Sequence, residues 1–143
     1  MEQTFVMIKP DGFKQKIFKD VMERLLKNGL SIKDVNIVNL NEDFIKEHYS
    51  HLTDKPFFPH LKEFMLSGPI ISMTVFGEDA ISKVRTLMGA TNPNKAEKGT
   101  IRYIYGNKED VTCNVMHASD SKENALIELN RFNKYRKVLT KRK

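Results

Sequence analysis

Hydrophobic and polar residues along the chain fall into short, well-bounded blocks. Thr4 to Ile8 is an apolar run of strand formers, and it stops at the turn signal Lys9-Pro10-Asp11-Gly12. Phe13, Ile17, Phe18, Val21, Met22, Leu25 and Leu26 then recur at helical spacing with polar residues between them. That spacing predicts one amphipathic helix, ended by Asn28-Gly29, which tolerate a left-handed backbone. Residues 30–40 read as a second strand whose apolar phase slips between Ile32 and Val35, which predicts a bulge or sharp bend. Residues 42–51 read as a helix capped by Asn41, and a short helix runs from the Pro56–Pro59 segment to Leu66. Ile70 to Phe76 is the clearest strand, and its lack of alternation predicts burial on both faces at one end. Ala80, Ile81, Val84, Leu87 and Met88 mark a further helix closed by Gly89. Residues 89–110 carry little periodicity and read as an unusually long connection, a kind usually functional or disordered. Val111 to Met116 resumes strand character, and Asp120 to Phe132 predicts a last helix burying Ala125, Leu126, Leu129 and Phe132.

With the additional helices set aside, the order reduces to βαββαβ, the split βαβ arrangement. The expected fold is therefore α+β and ferredoxin-like: a four-stranded antiparallel sheet with helices on one face and one long loop. The 143 residues suit one domain. No apolar run approaches the roughly 20 residues of a membrane span, and the first residues lack a signal-peptide pattern. Cys113 is the only cysteine, so an intrachain disulfide or a multi-cysteine zinc site is excluded. The expectation is a soluble, cytoplasmic protein without a membrane partner.

Charge changes the picture only at one end. The formal net charge is +6, yet residues 131–143 hold seven basic residues and no acidic one, leaving 17 basic and 18 acidic residues in 1–130. The chain thus divides into a near-neutral domain, 1–130, and a basic tail, 131–143. The ordinary reading of such a tail is a solvated, frayed terminus. The sharper one is an electrostatic contact with nucleic acid or another acidic surface.

Phosphate-binding glycine motifs of the P-loop and Rossmann kinds are absent. His117 stands out, in Asn114-Val115-Met116-His117-Ala118-Ser119-Asp120, at the handover from strand to helix. A mostly neutral imidazole there can be a nucleophile or a structural core group. Glu128, eleven residues on, can reach back along the helix to hold one ring nitrogen. His48, His51 and His60 read as structural. Lys9, Arg85 and Arg102 are each ordinary solvated charges taken singly, but phosphoryl transfer needs such cations to converge. Phe57 and Phe58 read as core first and as a base platform second.

On these residues the sequence resembles the nucleoside diphosphate kinases. The segment Asn114 to Asp120 is similar to the family's active-site signature. Ile8 to Gly12, His48-Tyr49, Pro56 to Pro59, Ser67 to Pro69, Gly89 to Pro93 and Gly99 to Arg102 match in the family's order. The resemblance implies transfer of a γ-phosphate, typically from ATP, to a nucleoside diphosphate by a ping-pong route through a phosphohistidine, with Mg²⁺ carried on the nucleotide. It implies His117 as nucleophile, Glu128 as its orienting carboxylate and Ser119 as support. It places Lys9 and Asn114 near ribose and phosphate, Tyr49 near the transferred group, and Arg85, Thr91 and Arg102 on the phosphates. Phe57 would stack on the base beside Leu61 and Val111, and Asp120 would meet the metal through water. A homo-oligomer, hexamer or tetramer, is implied as well. A second reading keeps the fold but demotes catalysis, leaving a nucleotide- or nucleic-acid-binding protein. Tyr103-Ile104 after Arg102, a longer stretch from there to Asn114, and Asn130-Arg131-Phe132 with the basic tail depart from the family pattern.

Overall fold

A computed structural model describes residues 1–140. Lys141, Arg142 and Lys143, the end of the basic tail, lie outside the described residues. The strands are β1 (Glu2–Ile8), β2 (Ser31–Val38), β3 (Ile70–Gly77) and β4 (Met116–Ala118). They form one antiparallel sheet in the order β2-β3-β1-β4, the ferredoxin-like arrangement expected. The helices are α1 (Pro10–Lys14), α2 (Phe18–Lys27), α3 (Glu42–His48), α4 (Phe58–Leu66), α5 (Ala80–Met88), α6 (Ile101–Tyr105) and α7 (Lys122–Thr140).

Strand periodicity sorts the core into two halves. Val6 and Ile8 of β1 face Val21 and Leu25 of α2 and Val84 of α5. Phe5 and Met7 face Phe44 and Ile45 of α3, Met65 of α4 and Phe132 of α7. The two crossover helices thus share one face, as the fold class predicts. The inserted α3–α4 pair and the terminal helix cover the other, so the sheet is buried on both sides. That explains the unbroken apolar character of β3, buried along nearly its whole length. The β2 phase slip is a register shift between Lys33 and Asn36, with Asp34 left-handed at φ 54°.

Five expectations change. The helix across 13–26 is two helices, because Lys16 turns left-handed at φ 61° and Ile17 N–H bonds back to Gly12. Ile17 still reaches the core, so the apolar spacing is the same with or without the break. The 89–110 connection contains α6, capped by the Thr100 hydroxyl, which accepts from Tyr103 N–H. The last strand starts at Met116, not Val111. Val115 sits at φ 65°, a left-handed conformation that is costly for a β-branched residue, and it kinks the chain just before β4. Finally, α7 continues through the tail to Thr140 without a break at residue 130. Phe132 is buried, and Tyr135 and Leu139 pack on the same cluster, so this stretch is anchored rather than frayed. Leu126, expected inside, is exposed, since the face carrying Ala125, Leu129 and Phe132 turns it outward.

Candidate active site

The site is built where β1, β4 and α7 meet. Antiparallel pairing of β1 with β4 sets Met7 opposite His117. The Phe5 carbonyl accepts from Ser119 N–H at 3.1 Å, which pins the end of β4. From α7, Glu128 reaches back to this strand. Its Oε1 lies 2.7 Å from His117 Nε2 and accepts from the Ser119 hydroxyl at 2.8 Å. A carboxylate accepts only, so Nε2 carries the proton. His117 Nδ1 then holds a lone pair and makes no hydrogen bond to the described residues.

The strained Val115 is held from both sides. Its carbonyl accepts from Lys9 N–H at 2.8 Å, and its N–H donates to Asp11 Oδ2 at 3.1 Å. The kink presents Asn114 to Lys9, whose ammonium donates to Asn114 Oδ1 at 2.8 Å. Asn114 Nδ2 in turn donates to the Thr91 carbonyl at 2.9 Å. Burial, reinforced by the Arg102 charge, lowers the Lys9 pKa from 10.5 to about 8. Burial likewise raises the Asp11 carboxyl. Arg102 is buried and donates to the carbonyls of Asn114, Gly89 and Met116. Burial and the nearby Arg85 bring its pKa down to about 10. Three of its five N–H groups are used, which leaves two for a ligand. Arg85 donates to the Ala118 carbonyl at 3.1 Å.

These groups surround a cleft of about 920 Å³. Lys9, Tyr49, Phe57, Leu61, Arg85, Thr91, Arg102, Val111, Asn114, His117, Asp120 and Glu128 all line it. Of the site residues the family resemblance implies, only Ser119 stands behind the wall, buried against Glu128. Cations and the His117 imidazole occupy one part of the lining. Phe57 and Val111, both partly exposed, and buried Leu61 form an apolar part. The Tyr49 hydroxyl is buried with no partner, and burial pushes its pKa up, so it stays a proton donor. An unpartnered buried hydroxyl on a cleft wall is a group awaiting a ligand acceptor. Phe58 faces the core instead.

His48 was not legible as a site residue. Its ring is buried, stacks on Phe44, and meets His117 edge to face with centroids 4.7 Å apart. The His48-Tyr49 match includes it but assigns it no role, because the contact joins α3 to β4 across the sheet end. His51 also lines the cleft, whereas His60 is outside it, 2.7 Å from Asp110.

Donor atoms of His48, His117 and Glu128 lie within 4.8 Å of one another. Glu128 is already committed to His117 and Ser119, and His48 to Arg131, with Lys9 adding positive charge. The trio is a hydrogen-bonded His117–Glu128 pair with the His48 ring packed edge to face against it, rather than a cation site. A metal fits better at the rim. Asp120 is exposed, and the Asn124 hydrogen bond, with the Arg85 charge, holds its carboxyl below the usual range. One ionised carboxylate beside several cations suits a divalent ion carried by phosphates and touched through water.

A sequence model of the nucleoside diphosphate kinases matches residues 2–138. Curated relatives of that description include one from Streptococcus agalactiae, 46% identical over 90% of this chain and 96% of its own length. Another, from Archaeoglobus fulgidus, is 44% identical over 92% of this chain and 86% of its own. Among solved structures, the apo enzyme of Encephalitozoon cuniculi superposes with a TM-score of 0.87 at 39% identity, covering 92% of this chain and 88% of that one. The Halobacterium salinarum enzyme in complex with CDP gives 0.86 at 41% identity, covering 92% and 86%.

Proposed function

The chain belongs to the nucleoside diphosphate kinase family, and from that premise we propose that it moves phosphate through His117. The activity is transfer of the γ-phosphate of a nucleoside triphosphate to a nucleoside diphosphate. What carries the His117 reading is the Glu128 bond to Nε2–H, which leaves Nδ1 as the free nucleophile among converging cations.

In the first half-reaction His117 Nδ1 attacks the γ-phosphorus. The N–P bond forms as the bond from phosphorus to the β,γ-bridging oxygen breaks, and the diphosphate leaves with that electron pair. The proton on Nε2 stays in its hydrogen bond to Glu128, which stabilises the charge gained by the ring. In the second half-reaction a terminal oxygen of another diphosphate attacks the same phosphorus, and the N–P bond breaks. Arg102, Arg85 and Thr91 hold the phosphates, Lys9 and Asn114 the ribose and transferring-phosphate region, and Tyr49 donates to the transferred group. Phe57, with Leu61 and Val111, holds the base by its face, which suits acceptance of every base. Mg²⁺ carried on the phosphates would supply charge neutralisation, and Asp120 would be the residue to meet it through water.

A demoted binding protein on the same fold is not favoured, since no catalytic position is substituted. Arg131 and Lys134 of the tail are, moreover, engaged with His48 and Glu47. Contact of the tail with nucleic acid or another acidic surface remains a proposal for Arg136 and Lys137. It is tested by oligonucleotide binding against salt in an R136Q/K137Q variant. We also propose a homo-oligomer, hexamer or tetramer. Edge strand β2 exposes Val35 and Ile37, an apolar edge of the kind that pairs. Light scattering giving a monomer mass overturns it.

The decisive experiment uses γ-labelled ATP with Mg²⁺. The expected result is an acid-labile, base-stable phosphoprotein that GDP discharges. Absence of label, or label persisting in H117A, overturns the mechanism.

A further inference from the structure

Glu128 and Arg131 stand three residues apart on α7 and so project from one face of the helix. They end on two touching imidazoles. Glu128 holds His117, and Arg131 Nη1 lies 2.9 Å from His48 Nδ1. A guanidinium only donates, so Nδ1 of His48 accepts and its single proton sits on Nε2. A second proton, on Nδ1, would displace Arg131 and set two cations side by side. Behind Arg131 stands Glu47, with Oε2 3.4 Å from Nε, and Lys134 and Tyr135 bond the same carboxylate. The guanidinium therefore approaches His48 from an anchored position. The two rings cross at 79°. A charge or a tautomer change on His48 is felt directly by His117.

We propose that Arg131 is a positioning residue for phosphoryl transfer: it fixes His48 as the neutral Nε2–H tautomer and so keeps the His117 ring uncharged by its neighbour and correctly turned. The proposal rests on the His117 reading above. It gives a use to a residue that composition alone assigns to a basic tail. The groups facing His48 are His117 from β4, Lys9 beyond β1, His51 from the turn after α3, and Glu128 and Arg131 from α7. Burial first, then the His117, Arg131 and Lys9 charges, pushes the His48 pKa well down. Burial favours the neutral ring but does not choose between its two tautomers. The choice falls to the hydrogen bond from Arg131.

The test combines imidazole nitrogen NMR with single-turnover phosphorylation by ATP and Mg²⁺, using the full chain, R131M and R131K. In the parent, His48 is expected to show an unprotonated Nδ1 and a protonated Nε2 from pH 6 to 8. In R131M those nitrogen signals move toward a tautomer mixture. The phosphorylation rate falls about fivefold or more at saturating ATP, with a larger loss at pH 6 than at pH 8. R131K, which keeps one donor, restores part of both. Unchanged His48 signals in R131M overturn the proposal, as does an equal fractional loss at every pH that R131K does not relieve. A parent protein that takes no phosphate on His117 overturns the reading beneath, while the nitrogen spectrum still decides the tautomer.

Discussion

Replacing Glu128 by Gln is the sharpest perturbation of the reacting pair. The variant keeps the shape of the side chain and removes its charge. Glu128 Oε1 is 2.7 Å from His117 Nε2 and 2.8 Å from the Ser119 hydroxyl, in a partly buried position. A hydrogen bond to a charged partner contributes about 1.5–3 kcal/mol. This one strengthens as the ring gains charge on attack, so its loss falls on the barrier. At 1.36 kcal/mol per tenfold, phosphorylation of His117 slows about 10- to 150-fold in E128Q. Nucleotide affinity stays within about twofold, because Glu128 touches the ring and not the phosphates. Rapid-quench single turnovers across a range of ATP concentrations separate the two quantities. S119A removes the hydroxyl that donates to the Glu128 carboxylate, and it slows the same step less than E128Q does, because the charged carboxylate still accepts from His117. An E128Q rate within about twofold of the parent refutes the orienting role. So does a loss confined to half-saturation.

Lys9, with its pKa lowered to about 8, loses its charge in the free protein as pH rises through that value. A bound phosphate draws the proton back, so ADP affinity measured by calorimetry falls by up to tenfold per unit above pH 8, and K9M removes that dependence. The same lowering means that the unfolded chain holds the extra proton between about pH 8 and 10.5. The cost of burying the ammonium is therefore present below pH 8 and relieved as pH rises, which urea melts of parent and K9M compared across that window register. F57A raises half-saturation about 5- to 150-fold for purine and pyrimidine diphosphates alike, since stacking contributes about 1–3 kcal/mol per base; a base-selective effect contradicts the stacking role. F132A destabilises the fold by about 3–5 kcal/mol in urea melts, because Phe132 fills the core between Phe5 and Phe44. Little change there would return the segment after residue 130 to a frayed end.

The candidate site was legible in the sequence because its members sit in short local patterns. Asn114, His117, Ser119 and Asp120 lie within seven positions, and strand-to-helix geometry brings Glu128 back to them. Arg131 lies in no such pattern, and the His48-Tyr49 match gives no sign of what His48 touches. Their contact needs α3, β4 and α7 placed around one sheet end, which is tertiary information. The fold class followed from strand and helix order, but element limits did not. Val115 in a left-handed conformation shortens the last strand, and β-branched residues ordinarily signal the opposite. Lys16 breaks a helix without disturbing its apolar spacing. The basic end looked like a solvated tail because charge dominates its composition. Phe132, Tyr135 and Leu139, spaced on one helical face, outweigh that charge by packing.

The pairing of β1 with β4 also has a consequence in time. Lys9 follows the first strand, while His117 lies on the last one and Glu128 on the helix after it. Lys9 and Arg102 are held by Asn114 and its neighbours, so the cationic part of the cleft and the His117 imidazole take shape together. β4 contributes only three residues and docks against a strand made at the start of synthesis. If His117 carries the phosphate as proposed, transfer begins only once β4 and α7 have been made and have closed on β1. On that reading, activity in this protein is a report that the sheet has closed on its first strand.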